Sequence, residues 1–568
     1  MLRISLILSL LITAVGCSHS DEEVEATYLP YSSLYDEASP DKLKLRQLLD
    51  SISEPFLESD RAFDSSWVFM EGSRDEELNQ GYKVVEGVDI DLPHRINLPN
   101  QSLWYQKIIE VEEPGVLEIN ADDGAQLFVD GKRTLRIHGN FFPLDSPGTH
   151  SVTIRVLNNA MFGGLNRVVY YTRGRFAQFV SDKAEFDEEK YVLQKAVLKK
   201  NLDINASLPT NELLQNLKQE LSAFPYIIGP YVIKRADTVS IMAITDSDRP
   251  VELWAGDSLK LDLKDSKLGG FVRFDIQLEE ASEDLNYRLV SGQTVSAINQ
   301  ISTKEPVPYS FNVWADSQSG WEKFNRTLSV IDQGSDAFGV GLGDLVSEGC
   351  DSLHWVQILS QLSLVGGRMP FFLIPGNHDY DGYYDDLKAA NHKTFTQTSP
   401  FQSWTFGNSA FIAMDPNTSF PIGVKDGTNQ YQWFQREIES EKWTKASWRF
   451  IFLHQPPFSQ GWEGYHGDQS IRDLLEPILE SAKVDFVVCG HTHNYERWTR
   501  NYGKQKVTFL VVGGAGGSLE DGEMSIEPQM DTVIRQHHFG RFTVSRNVIK
   551  FEAINHEGKT IDSYRQSK

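Results

Sequence analysis

A chain of 568 residues exceeds what one hydrophobic core usually organises, and its composition (40% hydrophobic, 11% aromatic, 23% charged) is that of folded globular domains. The formal net charge of −25, from 79 Asp and Glu against 54 Lys and Arg, repels phosphate backbones at long range and argues against nucleic acid as a partner. A small anionic substrate stays compatible with that charge, because a bound metal can dominate its local field.

In chain order, Arg3 precedes an apolar run from Ile4 to Val15 that is too short to span a bilayer and suits the core of a signal peptide. The run closes on Ala14-Val15-Gly16-Cys17, which resembles a bacterial lipobox. That resemblance implies a leader over residues 1–17, cleavage before Cys17, and lipid chains that anchor an exported protein to a bacterial membrane, at the outer membrane, periplasmic face or cell surface. An ordinary secretory leader that contains a cysteine is the alternative. Residues 18–60 read as a polar tether and N-terminal segment. Past Cys17 only Cys350 and Cys489 remain, too few for a disulfide framework, and Cys489 sits in an apolar run as a core thiol would.

Residues 61–180 alternate apolar and polar over short runs, with turn signals at Asp123-Gly124, Asp130-Gly131 and Pro147-Gly148, the rhythm of an all-β sandwich or jelly roll. The stretch from Leu98 to Tyr105 and the run from Gly115 to Gly131 are similar to the sugar-binding jelly rolls attached to many glycoside hydrolases. Carbohydrate contact by this domain is what that similarity implies. Trp104, Tyr105 and Phe128 are read either as core, the commoner fate of aromatics in a sandwich, or as rings that stack on a sugar. Across 181–223 Leu193, Val197 and Leu198, then Leu213, Leu214, Leu217 and Leu221, recur at helical spacing and predict a helical connector. A second β-module spans 224–305 and resembles a fibronectin type III domain.

From 306 to 568 short apolar runs alternate with amphipathic stretches such as Trp321 to Gln333, Leu353 to Leu364 and Tyr431 to Ile438, which is βα rhythm. The residues just after each apolar run carry the chemistry. Ser310 to Ala315 ends at Asp316; Phe338 to Leu342 at Gly343-Asp344; Met369 to Ile374 at Pro375-Gly376-Asn377-His378-Asp379. Arg449 to Leu453 ends at His454, and Val484 to Cys489 at Gly490-His491-Thr492-His493. If the runs are strands of one sheet, these groups emerge together at strand C-terminal ends, where open α/β folds place their sites. One Asp after a strand is ordinarily a helix cap. A recurring set of Asp, Asn and His beside glycines is harder to explain as separate caps, and oxygen ligands mixed with imidazoles suit Mn, Fe or Zn.

Taken together, Asp316-Ser-Gln318, Gly343-Asp344, Gly376-Asn-His-Asp379, His454 and Gly490-His-Thr-His493 resemble the calcineurin-like metallophosphoesterase signature, and Gly490 to Arg497 is closest to purple acid phosphatases. The resemblance implies a β-sandwich flanked by helices and two divalent or mixed-valence metal ions. Asp316 and His493 would bind the first, Asn377, His454 and His491 the second, and Asp344 would bridge them. It further implies hydrolysis of a small or medium phosphate ester, monoester or diester, by water made nucleophilic at the metals. His378 would stabilise the transition state or protonate the leaving group, with Asp379 orienting its ring. His466, in a Gly-rich loop before a helix containing Arg472, is read as a residue near the substrate or as an exposed loop histidine.

Two positions depart from the pattern. Gln318 stands where many members carry His, as a weaker first-metal ligand or a residue behind the ligands. Ser347 stands where purple acid phosphatases carry the tyrosine that colours their iron, which disfavours an Fe(III)-demanding site. Both leave open a second reading, a surface carbohydrate-binding lipoprotein whose phosphoesterase domain is weak or inactive. The acidic charge and missing basic stripe disfavour a nuclease. Gly513-Gly-Ala-Gly-Gly517 lacks the Lys-Ser/Thr of a phosphate-binding loop and reads as a backbone turn.

Overall fold

The computed structural model describes residues 47–48 and 52–568, except 73–80, 138, 199–211, 218–226, 235–237, 246–250, 256–258, 262–263, 266–270, 278–283, 292–293, 297, 303, 319 and 381–387. The expected leader and Cys17 lie outside the described residues. No helix among the described residues is long and apolar enough to cross a membrane.

Strands between Arg61–Ala62 and Phe162–Thr172 build two antiparallel sheets, one of five strands and one of six. The long pair Gln101–Val111 and Gly148–Asn158 shows why. Its alternate residues Leu103, Tyr105 and Ile109, with Val152, Ile154 and Val156, turn into the space between the sheets, the period-two pattern of a half-buried strand. Trp104 and Phe128 are buried on the opposite face of the six-stranded sheet, with Val85 and Tyr82 over them. All three aromatic side chains weighed as sugar platforms are therefore buried and present no open stacking face. The chain passes from Thr172 directly into the helix Arg173–Leu198, eight residues before the expected start of the connector at 181. Phe176 and Phe179 place their rings 5.0 and 6.0 Å from Phe141, so apolar contact with the sandwich holds the early turns.

The second β-module does not stand apart from the C-terminal region. Its strand Ile227–Lys234 pairs in parallel with Phe371–Ile374 at Ile233 and Phe371, and so joins that region in one ten-stranded sheet. Tyr231, Ile233 and Met242 pack in the same apolar cluster as Trp355, Ile358 and Leu362 of the helix Ser352–Gly366. Shared core and shared hydrogen-bonded sheet make the module part of the C-terminal body.

That body is a sandwich of the ten-stranded sheet and a seven-stranded one. Within the first, Tyr309–Trp314, Gly339–Leu342 and Phe371–Ile374 are parallel neighbours. Within the second, Ser409–Ala413, Trp448–Phe452, Phe486–Cys489 and Gln505–Val512 are parallel. The apolar runs thus divide between two facing sheets instead of forming one. Aromatics fill the gap: Phe311 stacks on Phe338 and on Phe542, each with centroids 4.8 Å apart, and Phe372 stacks on Trp404 at 3.9 Å. The helices Trp321–Asp332 and Ser352–Gly366 cover the outer face of the larger sheet, and Asn429–Glu439 and Gln469–Leu475 cover that of the smaller. Both faces of each parallel segment are consequently buried, as parallel strands require.

Because Phe311 is fully buried between two stacked rings, Phe311→Ala is expected to destabilise the C-terminal body by about 3–5 kcal/mol, read as a lowered denaturant midpoint with an unchanged slope.

Candidate metal centre

The two sheets bring the C-terminal ends of their parallel strands to one edge of the sandwich. Asp316 follows the strand Tyr309–Trp314, Asp344 follows Gly339–Leu342, Asn377 follows Phe371–Ile374, His454 follows Trp448–Phe452 and His491 follows Phe486–Cys489. Backbone bonds knit the loops: Asp316 N donates to Gly343 O at 3.1 Å, Gln318 N to Asp344 O at 3.1 Å, and Gly490 N to His454 O at 2.9 Å. The glycines leave room for this crowding. A Cβ at Gly376 would stand 2.2 Å from Asp344 Oδ1, and Gly343 has φ +91° with His454 Nδ1 2.6 Å from where its Cβ would be. Four ligand candidates themselves adopt left-handed backbone: Asp316 (φ +60°), Gln318 (+41°), Asp344 (+48°) and His491 (+75°). Such conformations cost on the order of 1 kcal/mol each and persist only where the surroundings impose them.

One ligand atom each from Asp344, His454 and His491 lie within 4.8 Å of one another, all three residues buried. His454 Nε2 is 3.2 Å from Asp344 Oδ2 and 4.0 Å from Asp316 Oδ1; His493 Nε2 is 3.6 Å from Asp316 Oδ1 and 3.4 Å from the Gln318 amide nitrogen. A consistent tautomer explains the orientation. His454 Nδ1 donates to Leu342 O at 2.8 Å, His493 Nδ1 to Ser518 O at 2.6 Å and His378 Nδ1 to Ser347 O at 3.0 Å. Each Nε2 lone pair then faces inward, towards carboxylate oxygens that also only accept. Asp316 Oδ1 and His454 Nε2 are buried and find no hydrogen-bond partner among the described residues. Lone pairs aimed at lone pairs need a proton or a cation between them. The electrostatics say the same: burial pushes the Asp316 carboxyl well up; burial would lower His454, but Asp344 and Asp316 outweigh it and raise it to about 9. Asp344 is held below the usual carboxylate range, because His454 and His378 outweigh its burial. The donor set of Asp344, His454 and His491, with Asp316 and His493 beside it, therefore fits a cation, and Asn377 and Gln318 line the same cavity.

Asp379 does something other than orient His378. Its carboxylate accepts from the backbone N–H of Leu345 at 3.0 Å, Val346 at 3.1 Å and Gly376 at 2.8 Å, tying the Asp344 loop to the Asn377 loop. The His378 ring is held instead through Nδ1 by Ser347 O at 3.0 Å. A buried network that no sequence motif announces supports Asn377. Gln455 Nε2 lies 3.5 Å from Asn377 Oδ1 and donates to Asn417 Oδ1 at 2.6 Å; Asn417 and Tyr380 donate to Asp415 at 3.0 and 2.6 Å. A weak signal existed, since Asp415 also follows an apolar strand, Ser409–Ala413.

The opposite wall of the site comes from the N-terminal sandwich, and it too is unmarked by any motif. A cavity of about 470 Å³ is lined by Asp344, Asn377, His378, His491, His493 and Gln318 on one side and by Arg95, Asp122, Asp123 and Asn159 on the other. Asn159 Nδ2 approaches His491 Nε2 at 3.3 Å. His466 lines a second cavity, of about 890 Å³, and its Nδ1 contacts Glu527 O and Ser525 Oγ. It stands apart from the metal cluster because its loop turns towards Glu527.

Residues 309–495 match the family model described as calcineurin-like phosphoesterase. Purple acid phosphatase 22 of Arabidopsis thaliana is 25% identical over 252 residues, covering 41% of this chain and 56% of that protein. The Fe(3+)-Zn(2+) purple acid phosphatase 12 of the same plant is 25% identical over 233 residues, covering 38% and 48%. The chain spans about half the length of these curated relatives. The solved structure of a purple acid phosphatase from yellow lupin (Lupinus luteus) seeds is similar at a TM-score of 0.51 and 15% identity, covering 82% of this chain and 92% of that one, a likeness of fold.

Asp379→Asn replaces an acceptor of three backbone bonds with an amide whose NH2 opposes one of them. The expected result is a loss of about 1–3 kcal/mol in chemical denaturation. A residue that served only to orient His378 would leave the midpoint unchanged.

Proposed function

We propose that the chain is a hydrolase of phosphate esters, with Asp316, His493 and Gln318 holding one metal ion, Asn377, His454 and His491 holding a second, and Asp344 shared between them. The observation that carries this reading is the pair of buried, partnerless acceptors, Asp316 Oδ1 and His454 Nε2. A cluster so arranged is unfavourable by itself and becomes favourable around positive charge. Ser347 brings no phenol to the site, which favours Mn, Zn or a mixed iron centre over an iron-tyrosinate one.

Two bound ions would neutralise the anionic oxygens of the ester and make water a usable nucleophile near neutral pH. The chain's own groups do the rest. His454 and His493, each fixed through Nδ1, keep their ligand nitrogens aimed inward without rearrangement. His378 lines the cavity with its side chain partly exposed and its Nε2 4.0 Å from Asp344 Oδ2. Carrying a second proton on Nε2, it would give that proton to the departing alkoxide or stabilise charge there. Trp462, with its ring 5.1 Å from that of His491, walls the site and limits water.

Export and lipid anchoring at Cys17 belong to the same proposal. Cys17→Ala is expected to move the protein from the membrane fraction to the soluble one.

Asp344→Asn should abolish turnover of p-nitrophenyl phosphate and bis-p-nitrophenyl phosphate and lower metal content measured by elemental analysis. His378→Ala should keep the metal and lower kcat by about 10²–10⁴-fold. Chelation followed by Mn, Zn or Fe should remove and restore activity. Full turnover in Asp344→Asn would refute the assignment.

A further inference from the structure

We infer that the N-terminal sandwich completes the active site and sets its substrate class, with Asn159 receiving hydroxyl groups of the leaving alcohol, so that the preferred substrate is the phosphate monoester of a neutral polyhydroxy compound such as a polyol or sugar. The inference rests on the phosphoesterase reading and adds the substrate to it.

Asn159 is 2% exposed, and its Oδ1 finds no hydrogen-bond partner among the described residues. A buried amide oxygen left unpaired costs free energy unless something else fills it. The residue lines both cavities, as does Met161, so the cavity at the metal cluster and the larger space beside Tyr465 adjoin at Asn159. A phosphate at the cluster would direct its alcohol towards that junction. Asp123 is the positioning residue: its carboxylate accepts from Asn159 N at 2.6 Å and fixes the turn that carries the amide.

Charge decides between leaving groups. Beyond the metal cluster and His378, the wall offers Asp122, Glu463 and Glu523 against a single guanidinium among its described lining residues, Arg95, whose Nη2 lies 3.7 Å from Asp122. A second phosphate, as in a nucleotide or pyrophosphate, would meet a wall without net positive charge. A neutral alcohol bearing several hydroxyls meets acceptors instead. The innermost acceptor, an amide carbonyl, needs an O–H or N–H donor, which a polyol supplies and the quaternary ammonium of choline does not.

The test uses the full metal-loaded chain and compares kcat/KM for a hexitol monophosphate, p-nitrophenyl phosphate, choline phosphate and a nucleoside diphosphate. Wild type is expected to favour the hexitol ester over the choline and nucleotide substrates. Asn159→Ala should lower the hexitol to p-nitrophenyl ratio by about tenfold, mainly through KM, because only the hexitol offers hydroxyls to the amide. Asn159→Ser should lie between, which separates lost recognition from misfolding. A ratio unmoved by both variants, or a wild type preferring choline phosphate or the nucleotide, overturns the inference. Wild-type failure on p-nitrophenyl phosphate would instead strike the underlying hydrolase reading.

Discussion

The organising constraint of the C-terminal body is an electrostatic frustration held in place by rigid strands. Asp316 and Asp344 are buried beside imidazole nitrogens whose only free lone pairs point at them. Removing carboxylates from water costs several kcal/mol per ion even after relaxation. Backbone N–H groups of His491 and His378, which donate to Asp316 and Asp344 at 2.9 Å each, offset part of that cost. Positive charge at the centre offsets the rest, because attraction between opposite charges grows as the local dielectric falls.

Much of the neighbouring structure derives from the need to keep those groups converged. Loop residues alone would swing apart, so each ligand candidate sits two to four residues beyond a buried parallel strand, and short backbone bonds tie loop to loop. Left-handed backbone at Asp316, Gln318, Asp344 and His491 turns side chains into a space that extended geometry would overshoot. Asp379 fastens two of the loops with three N–H donors, and Gly516 and Gly517 donate to Asp316 O at 3.2 and 2.7 Å from the far side. The glycine-rich stretch after Val512 is thus a close-packed brace, in keeping with its reading as a turn.

The ligand candidates are legible in the sequence because a local pattern repeats: an apolar strand, then Asp, Asn or His, with glycine beside three of the five. Asp415 also follows an apolar strand but belongs to none of the motif runs, so it does not stand out. Asp379 is misleading because sequence adjacency to His378 says nothing of where a side chain points; its partners lie 3, 33 and 34 residues away. The merging of the second β-module into the larger sheet is invisible for a similar reason. Strand pairing between Ile233 and Phe371 leaves no trace in either segment's own alternation. Asn159 is the extreme case, a residue in an ordinary turn that matters through a contact 332 positions along the chain.

Floor and roof of the cavity come from different domains yet obey one electrostatic logic. Ile422 N donates to Asn100 Oδ1 at 3.0 Å and Asn159 reaches His491, so polar contacts hold the sandwich over the cluster. With carboxylates on the roof and carboxylates in the floor, the cavity repels a phosphate until positive charge is installed beneath it. Under the proposed function, metal loading would precede substrate entry, and the acidic roof would be tolerated because the floor becomes cationic. Under the same proposal, an acidic roof over a cationic floor would also orient the ester, its phosphate drawn to one side and its neutral alcohol left to the other. A single-domain site of the same charge would bind the phosphate without distinguishing what is attached to it.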